Sequence, residues 1–591
     1  MAISVDCLET LRKISELDVV KALWPNEVHY MAQALPSNNV LQAVTGDPTI
    51  ADDGASSSSS SNSSNSDYKG NLEDIHRVTG VADIRSRFNL TGRGVKIGII
   101  DSGVDYRHPY LGACWKTPGC PFQYGWDFVG DNYSITTGSP PVPDDDPLDT
   151  CFGHGTNVAG ILAANGSMFT GVAPGVTLGI YRTVSCADGQ TTTDILIQAM
   201  ERAARDGMDI VNMSFGTPSS WPENALTIAA SNLIKRGTMV LAAVGNSGQE
   251  GMHTIFSPAS GAGVIGTGSF EAPTISFLAI GARTASGDDL VLPVSLSASS
   301  AAFIFKNPIP IVSVAAVDPT MLGCMPYNGD FAAGKVVFVF RGDCTMAEKA
   351  LYAQNAGAVG ILISNNEASS MTPIVNNTIK IPVGGMDLND GLKLAQELEA
   401  GSVDLVSGER AVTYPNPSSG SASFFTSFGP GPELTGNPSV LAPGSQIIST
   451  APINLGSFST KYGTSIAVPY MAGIMSLMLE GRRSVWPAHN RNRNLSVDDL
   501  QAIVKEHSTP ARDPTTGMLV SVFCQGSGRS NVTEVFNTQV VAHPPELRFN
   551  YTLVSTSQSA TINLRNILDN EGVFYIVSDE PAESISPFYP N

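Results

Sequence analysis

Three side chains that together can open an amide bond stand far apart in this chain of 591 residues: Asp101, His154 and Ser465. Ser465 lies in Gly463-Thr464-Ser465-Ile466-Ala467-Val468-Pro469, a turn running into an apolar segment predicted to be helical from Ala472 to Leu479, with Gly481 as its stop. Pro469 suits a first helical turn, where its missing N–H would be unpaired in any case. Ser465 then sits near the positive end of a helix dipole, which favours the negative charge that develops on a carbonyl oxygen during acyl transfer. Taken alone, the pattern describes an N-cap serine; catalysis needs a base and an orienting acid as well.

The run Gly94-Val95-Lys96-Ile97-Gly98-Ile99-Ile100 reads as a buried parallel strand that delivers Asp101 to the carboxyl edge of a sheet, where ligand chemistry gathers. Asp105, four residues on, reads as a solvated or capping residue of the following loop. His154, between Gly153 and Gly155, opens a helix of small residues through Ile161. His29, His76, His108, His253, His489, His507 and His543 lack such punctuation and read as structural or solvated residues of loops and polar surroundings. The apolar run Met239-Val240-Leu241-Ala242-Ala243-Val244-Gly245 reads as a strand that ends on Asn246, whose amide would share a sheet edge with Asp101 and could donate to an oxyanion.

The order Asp101, His154, Asn246, Ser465, in the motifs Ile100-Asp101-Ser102-Gly103, Gly153-His154-Gly155-Thr156, Ala243-Val244-Gly245-Asn246 and Gly463-Thr464-Ser465, resembles the subtilisin-type serine peptidases. The resemblance implies an α/β fold with a parallel sheet flanked by helices, a catalytic triad of Asp101, His154 and Ser465, and Asn246 in the oxyanion hole. It implies no cofactor. In subtilisin itself, losing the asparagine donor costs roughly 10²–10³ in turnover, a magnitude taken over from that enzyme. Asp209-Ile210-Val211-Asn212-Met213-Ser214-Phe215-Gly216 resembles the family strand beside the first specificity pocket, so Ser214, Phe215 and Gly216 are candidate substrate contacts. Substrate preference is left open, with an apolar residue before the cleaved bond as the default expectation. A non-catalytic scaffold that binds partners is the competing reading, but pseudoenzymes usually lose a triad member and none is missing here.

A net charge of −20 argues against nucleic acid as a partner, since phosphate binding wants a basic surface. No apolar run is long enough to suggest a membrane span. Cys7, Cys114, Cys120, Cys151, Cys186, Cys324, Cys344 and Cys524 show no close pair of zinc type, so disulfides are their expected use. Sequons at Asn62, Asn89, Asn132, Asn165, Asn376, Asn494, Asn531 and Asn550 fit a secreted glycoprotein, with a further one at Asn212 expected to be buried. Met1 to Lys13 carries no apolar signal region, and a start lacking its signal and half its prosegment would reconcile the two.

Residues 1–35 are expected to be the remnant of an inhibitory propeptide, because Leu17 to Pro25 resembles the last strand of one. Residues 36–75 form a Ser-rich linker around the tract from Asp52 to Asp67, with processing expected before Thr91. Maturation there would remove Cys7 and leave seven cysteines, so at least one unpaired thiol. Residues 76–300 and 411–510 are assigned to the catalytic domain and 301–410 to an insert. In that insert, strands over 334–344 and 359–363 flank a helix from Met346 to Ala356, resembling a protease-associated domain, a likeness that also implies a Cys324–Cys344 disulfide. Val497 to Glu506 reads as a closing helix, and 535–591 as a partial fibronectin-III-like sandwich with strands at Pro544 to Phe549 and Ala560 to Leu564.

Departures from the family pattern are local. Asn157 and Tyr470 replace commonly seen histidines outside the triad. A frequent structural calcium site is expected to be absent, since Ala164-Asn165-Gly166-Ser167 leads almost directly to Gly171 and Tyr110 holds the place of a carboxylate. Asp144-Asp145-Asp146 reads as a solvated loop. Ile466 follows the serine where many relatives have Met, whose thioether oxidises to a polar sulfoxide. Activity should therefore survive dilute peroxide, measured as residual hydrolysis after timed exposure; rapid inactivation would contradict this.

Overall fold

A computed structural model describes residues 22–30, 70–297, 307–327, 330–367, 378–432, 438–488, 495–547 and 559–568, together with a few isolated positions and the pair Ser584–Ile585. The Ser-rich tract, Cys7 and most of the expected propeptide strand lie outside the described residues.

Seven parallel strands form the central sheet, in the spatial order Val440–Pro443, Ile265–Phe270, Met239–Ala243, Ile210–Met213, Lys96–Asp101, Thr177–Arg182 and Phe122–Asp127. Lys96–Asp101 is where the strand order turns: the chain adds strands on one side of it and then on the other, leaving a crevice at its carboxyl end. Side chains alternate faces along a strand. Ile97 and Ile99 therefore join one apolar core while Ile100 joins the opposite one.

The helices His154–Ala163 and Thr464–Ala488 cover the first face, and Thr193–Arg205 with Ala225–Lys235 cover the second. All ten residues of the first helix are buried, and a Cβ added at Gly155 or Gly160 would lie 2.1 or 2.2 Å from a neighbouring oxygen, which explains the small residues there. The serine helix is longer than read from sequence. It begins at Thr464, so Pro469 sits in its second turn, and it runs through Gly481 to Ala488. Gly481 is not a stop; a Cβ there would lie 2.2 Å from the Phe536 ring, so the glycine admits a close neighbour. Packing of a helix that is buried from Thr464 to Leu479 overrides both local signals.

Between Phe270 and Val440 the chain builds a closed seven-stranded barrel, in the order Asp289–Leu296, Val383–Met386, Gly360–Ser364, Val336–Phe340, Ile309–Ser313, Val403–Pro415 and Thr274–Thr284. Its strands begin at Thr274, upstream of the boundary at 301 read from sequence. Thr274–Thr284 and Val403–Pro415 pair antiparallel, Thr274 opposite Pro415, so the insert leaves and re-enters the body side by side. Helices Met346–Asn355 and Leu388–Ala400 pack on it, and Cys324 is bonded to Cys344.

Cys114–Cys120 and Cys151–Cys186 are also bonded; Cys524 is unbonded and buried, which pushes its thiol up to about 12. Helix Val497–His507 lies beside Val540–His543, which pairs antiparallel with Asn563–Asn566. These strands fall outside Pro544 to Phe549 and only overlap the expected Ala560 to Leu564. Near the start, Val28–Tyr30 pairs antiparallel with Gln190–Thr192, and the Trp24 Nε1–H donates to the Glu223 carbonyl at 2.8 Å.

Two histidines are more deeply structural than their settings suggested. His29 lies in that edge strand, fully buried, and burial lowers it to about 4. His76 lies in helix Leu72–Val78, fully buried. Its Nε2 faces the Thr170 carbonyl at 2.9 Å and must carry the proton, so Nδ1 accepts from the Tyr470 hydroxyl at 2.8 Å. Burial lowers it to about 3. Between pH 6.5 and 3 the unfolded chain thus binds a proton that the folded chain refuses, and stability falls as pH falls, by up to roughly 1.4 kcal/mol per pH unit for one such group. Unfolding midpoints in urea should drop from pH 6.5 to 5, and His76→Gln should flatten that slope; parallel slopes for the two proteins would refute the assignment.

Candidate functional site

Asp101 ends its strand fully buried, and such a carboxyl group needs its oxygens answered by donors. The Ser102 N–H donates to Oδ1 at 2.7 Å. His154 Nδ1 lies 2.9 and 3.0 Å from the two oxygens, so Nδ1–H points at the carboxyl group and Nε2 is turned away from it. His154 can sit so close because its neighbour has no side chain: a Cβ at Gly155 would lie 2.1 Å from the Gly103 carbonyl. The His154 side chain is 10% exposed, sheltered yet reachable.

A second carboxyl group sets the loop that enters the histidine helix. Asp149, also fully buried, accepts from the N–H groups of Cys151 and Phe152 on one oxygen, at 2.9 and 2.8 Å, and of Gly153 on the other, at 2.7 Å. The Ser102 hydroxyl donates to it at 2.6 Å while accepting the Gly155 N–H at 3.0 Å. Ser102 thus ties the strand end to the helix start. Sequence reading missed both residues; an Asp two to four positions ahead of a helix-opening glycine is the turn signal that could have found Asp149. Asp149 also lies near Cys151 and Cys186, but both sulfurs are committed to their disulfide, so the three do not form a metal set.

Ser465 is the second residue of its helix. Of the first four N–H groups there, that of Thr464 donates to Asn246 Oδ1 at 2.9 Å and those of Ile466 and Ala467 to the Gly463 carbonyl, leaving that of Ser465 open. A backbone N–H can only donate, so Asn246 must present its oxygen to Thr464 and its NH₂ elsewhere. That NH₂ faces Gly463: a Cβ on residue 463 would lie 3.2 Å from Asn246 Nδ2 and 3.2 Å from Ser465 Oγ. Gly463 also has a φ of 140°. The hydroxyl, an amide NH₂ and an open N–H therefore border one small space that any side chain at 463 would fill. The serine and histidine helices pack on one another through the first core.

Ser214 and Phe215 are buried; Asn212 Nδ2 donates to Ser214 Oγ at 2.9 Å, so that hydroxyl is occupied within the protein. Thr217 pairs with Ser257 through both backbone bonds, which holds the backbone after Gly216 against the following loop. Asp105 is fully buried as well, not solvated: although burial acts against its charge, bonds from Arg107 and the Ile453 N–H bring it below the usual carboxylate range. The Tyr110 ring lies over Gly166, and its hydroxyl accepts the Met168 N–H at 3.1 Å. Asp144, Asp145 and Asp146 are exposed, and Ile466 is 1% exposed against the first core.

The sequence profile of the subtilase family matches residues 92–527. The chain is 27% identical to minor extracellular protease Vpr of Bacillus subtilis over 565 residues, 95% of this chain and 63% of that protein. It is 29% identical to the PII-type proteinase of Lacticaseibacillus paracasei over 518 residues, 77% of this chain and 26% of the relative. Against subtilisin DY of Bacillus licheniformis it is 36% identical over 198 residues, 32% of this chain and 63% of that protein. The chain thus spans less than two thirds of the curated relatives it matches along most of its own length. With the profile covering most of it, and the strand, histidine helix and serine helix all inside the match, the chain belongs to the subtilase family.

Proposed function

We propose that the chain is a secreted serine endopeptidase that hydrolyses peptide bonds in protein or peptide substrates. The observation that carries this is the pairing of His154 with buried Asp101, together with the hydroxyl, NH₂ and open N–H gathered around Gly463. Ser465 Oγ attacks the carbonyl carbon; His154 Nε2 takes the hydroxyl proton and returns it to the leaving amine. Asp101 holds Nδ1–H and so keeps Nε2 free to act as the base. As the carbonyl oxygen gains charge, Asn246 Nδ2 and the Ser465 N–H donate to it. Asp149 and Ser102 act at one remove, as positioning residues for His154.

The barrel from Thr274 to Pro415 is read as the protease-associated insert, serving substrate selection or assembly. Val28–Tyr30, seated as an added strand on Gln190–Thr192, supports reading the N-terminal segment as an inhibitory propeptide and the chain as a zymogen. Exposed sequons at Asn89, Asn132 and Asn165, with three disulfides among the described residues, fit a glycoprotein of an oxidising compartment.

Ser465→Ala should lower turnover by roughly 10⁶, the figure known for the nucleophile of subtilisin, and abolish labelling by a fluorophosphonate probe. Near-normal hydrolysis by that variant would remove the assignment. Asp149→Asn should lower kcat by about 10² with KM little changed, because it misplaces a base without touching substrate. An equal rise in KM, or an unchanged kcat, would show that the Asp149 clamp does not set His154.

A further inference from the structure

If Asn246 and the Ser465 N–H receive the carbonyl oxygen, as proposed above, the side chain of the residue before the cleaved bond falls beside the backbone next to Asn246. That space has two walls. One is Val244-Gly245-Asn246; the other is Ser214-Phe215-Gly216, held in place by the Thr217–Ser257 pair. Phe256 lies between them, its Cβ toward Gly216 and its ring against Gly245.

Phe256 is fixed by its own backbone, whose N–H donates to the Val244 carbonyl at 2.8 Å. Its ring lies flat against Gly245: a Cβ on residue 245 would come within 2.4, 2.7 and 2.7 Å of Cδ1, Cε1 and Cγ. On the other wall, a Cβ on Gly216 would lie 3.1 Å from Phe256 Cβ and 2.3 Å from the Ser257 carbonyl. Both glycines are thus needed to seat the aromatic side chain. Phe256 is 7% exposed yet belongs to neither apolar core flanking the sheet. A bulky apolar residue excluded from both cores and set between the two walls of a substrate cleft fills volume that would otherwise receive a substrate side chain. Backbone on both sides cannot give way as a flexible side chain would, so the ring keeps its place when substrate arrives.

We infer that Phe256 is the specificity-determining residue of this subtilase and that it restricts cleavage to bonds following small residues, alanine, serine or glycine, against leucine, phenylalanine or arginine. The inference rests on the peptidase reading and narrows it to a substrate class. A peptide series differing only in the residue before an amide-linked fluorophore tests it on the wild-type chain. Alanine should exceed leucine by about 10-fold and phenylalanine by about 10² in kcat/KM. Phe256→Ala should raise kcat/KM on the phenylalanine peptide by about 10–10² and reverse the order, and Phe256→Val should give an intermediate result. Labelling of each protein by a fluorophosphonate reports whether Ser465 is assembled. Wild-type chain that labels but cleaves after phenylalanine as well as after alanine overturns the inference alone, as does a labelled Phe256→Ala with an unchanged order. Wild-type chain that neither labels nor cleaves overturns the peptidase reading and this inference with it.

Discussion

Everything at the cleft depends on keeping the carboxyl groups of Asp101 and Asp149 away from water at the edge of one parallel sheet. Buried carboxyl oxygens demand donors, and here the donors are the parts that must be aligned. Asp101 collects the His154 ring and the Ser102 N–H. Asp149 collects three consecutive N–H groups of the loop before His154 and the Ser102 hydroxyl. Satisfying the carboxyl groups and orienting the imidazole are one operation. The same economy recurs at the serine, where Asn246 caps Thr464 with its oxygen and is thereby left with its NH₂ toward Gly463.

The strand positions around this site were legible because each has a local mark. Lys96–Asp101 and Met239–Ala243 are short apolar runs punctuated by glycine; the first ends at Asp101 as the sequence has it, while the second stops at Ala243, three residues short of the Asn246 end read from sequence. His154 was legible from its flanking glycines. What escaped depends on contacts that local pattern does not encode. Asp149 is one acidic residue among several until three N–H groups converge on it. Gly481 looks like a helix stop until Phe536 is seen against it. Barrel closure rests on pairing Thr274–Thr284 with Val403–Pro415, segments too distant for any window of residues to connect. Histidines carried the weakest signal: His76 reads as polar from its neighbours, yet it lies fully buried between Thr170 and Tyr470.

Glycine has three distinct uses here that composition would merge. Gly463 keeps a space open, Gly155 lets one backbone approach another, and Gly245 receives an aromatic ring. Only the first stands directly beside Ser465.

The paired strands at the root of the barrel bear on how the catalytic body can assemble. Phe270 bridges to Ala422 and the Asn416 N–H reaches the Pro273 carbonyl at 2.9 Å, so the insert's two ends meet where they leave the body. Once those ends are zipped, the long excursion between them no longer adds to the separation that later elements must close, because loop entropy counts only the span left unfixed. Serine helix and histidine helix, remote along the chain, become near neighbours in effective contour. An insertion of this kind lengthens the polypeptide far more than it lengthens the search for the active fold.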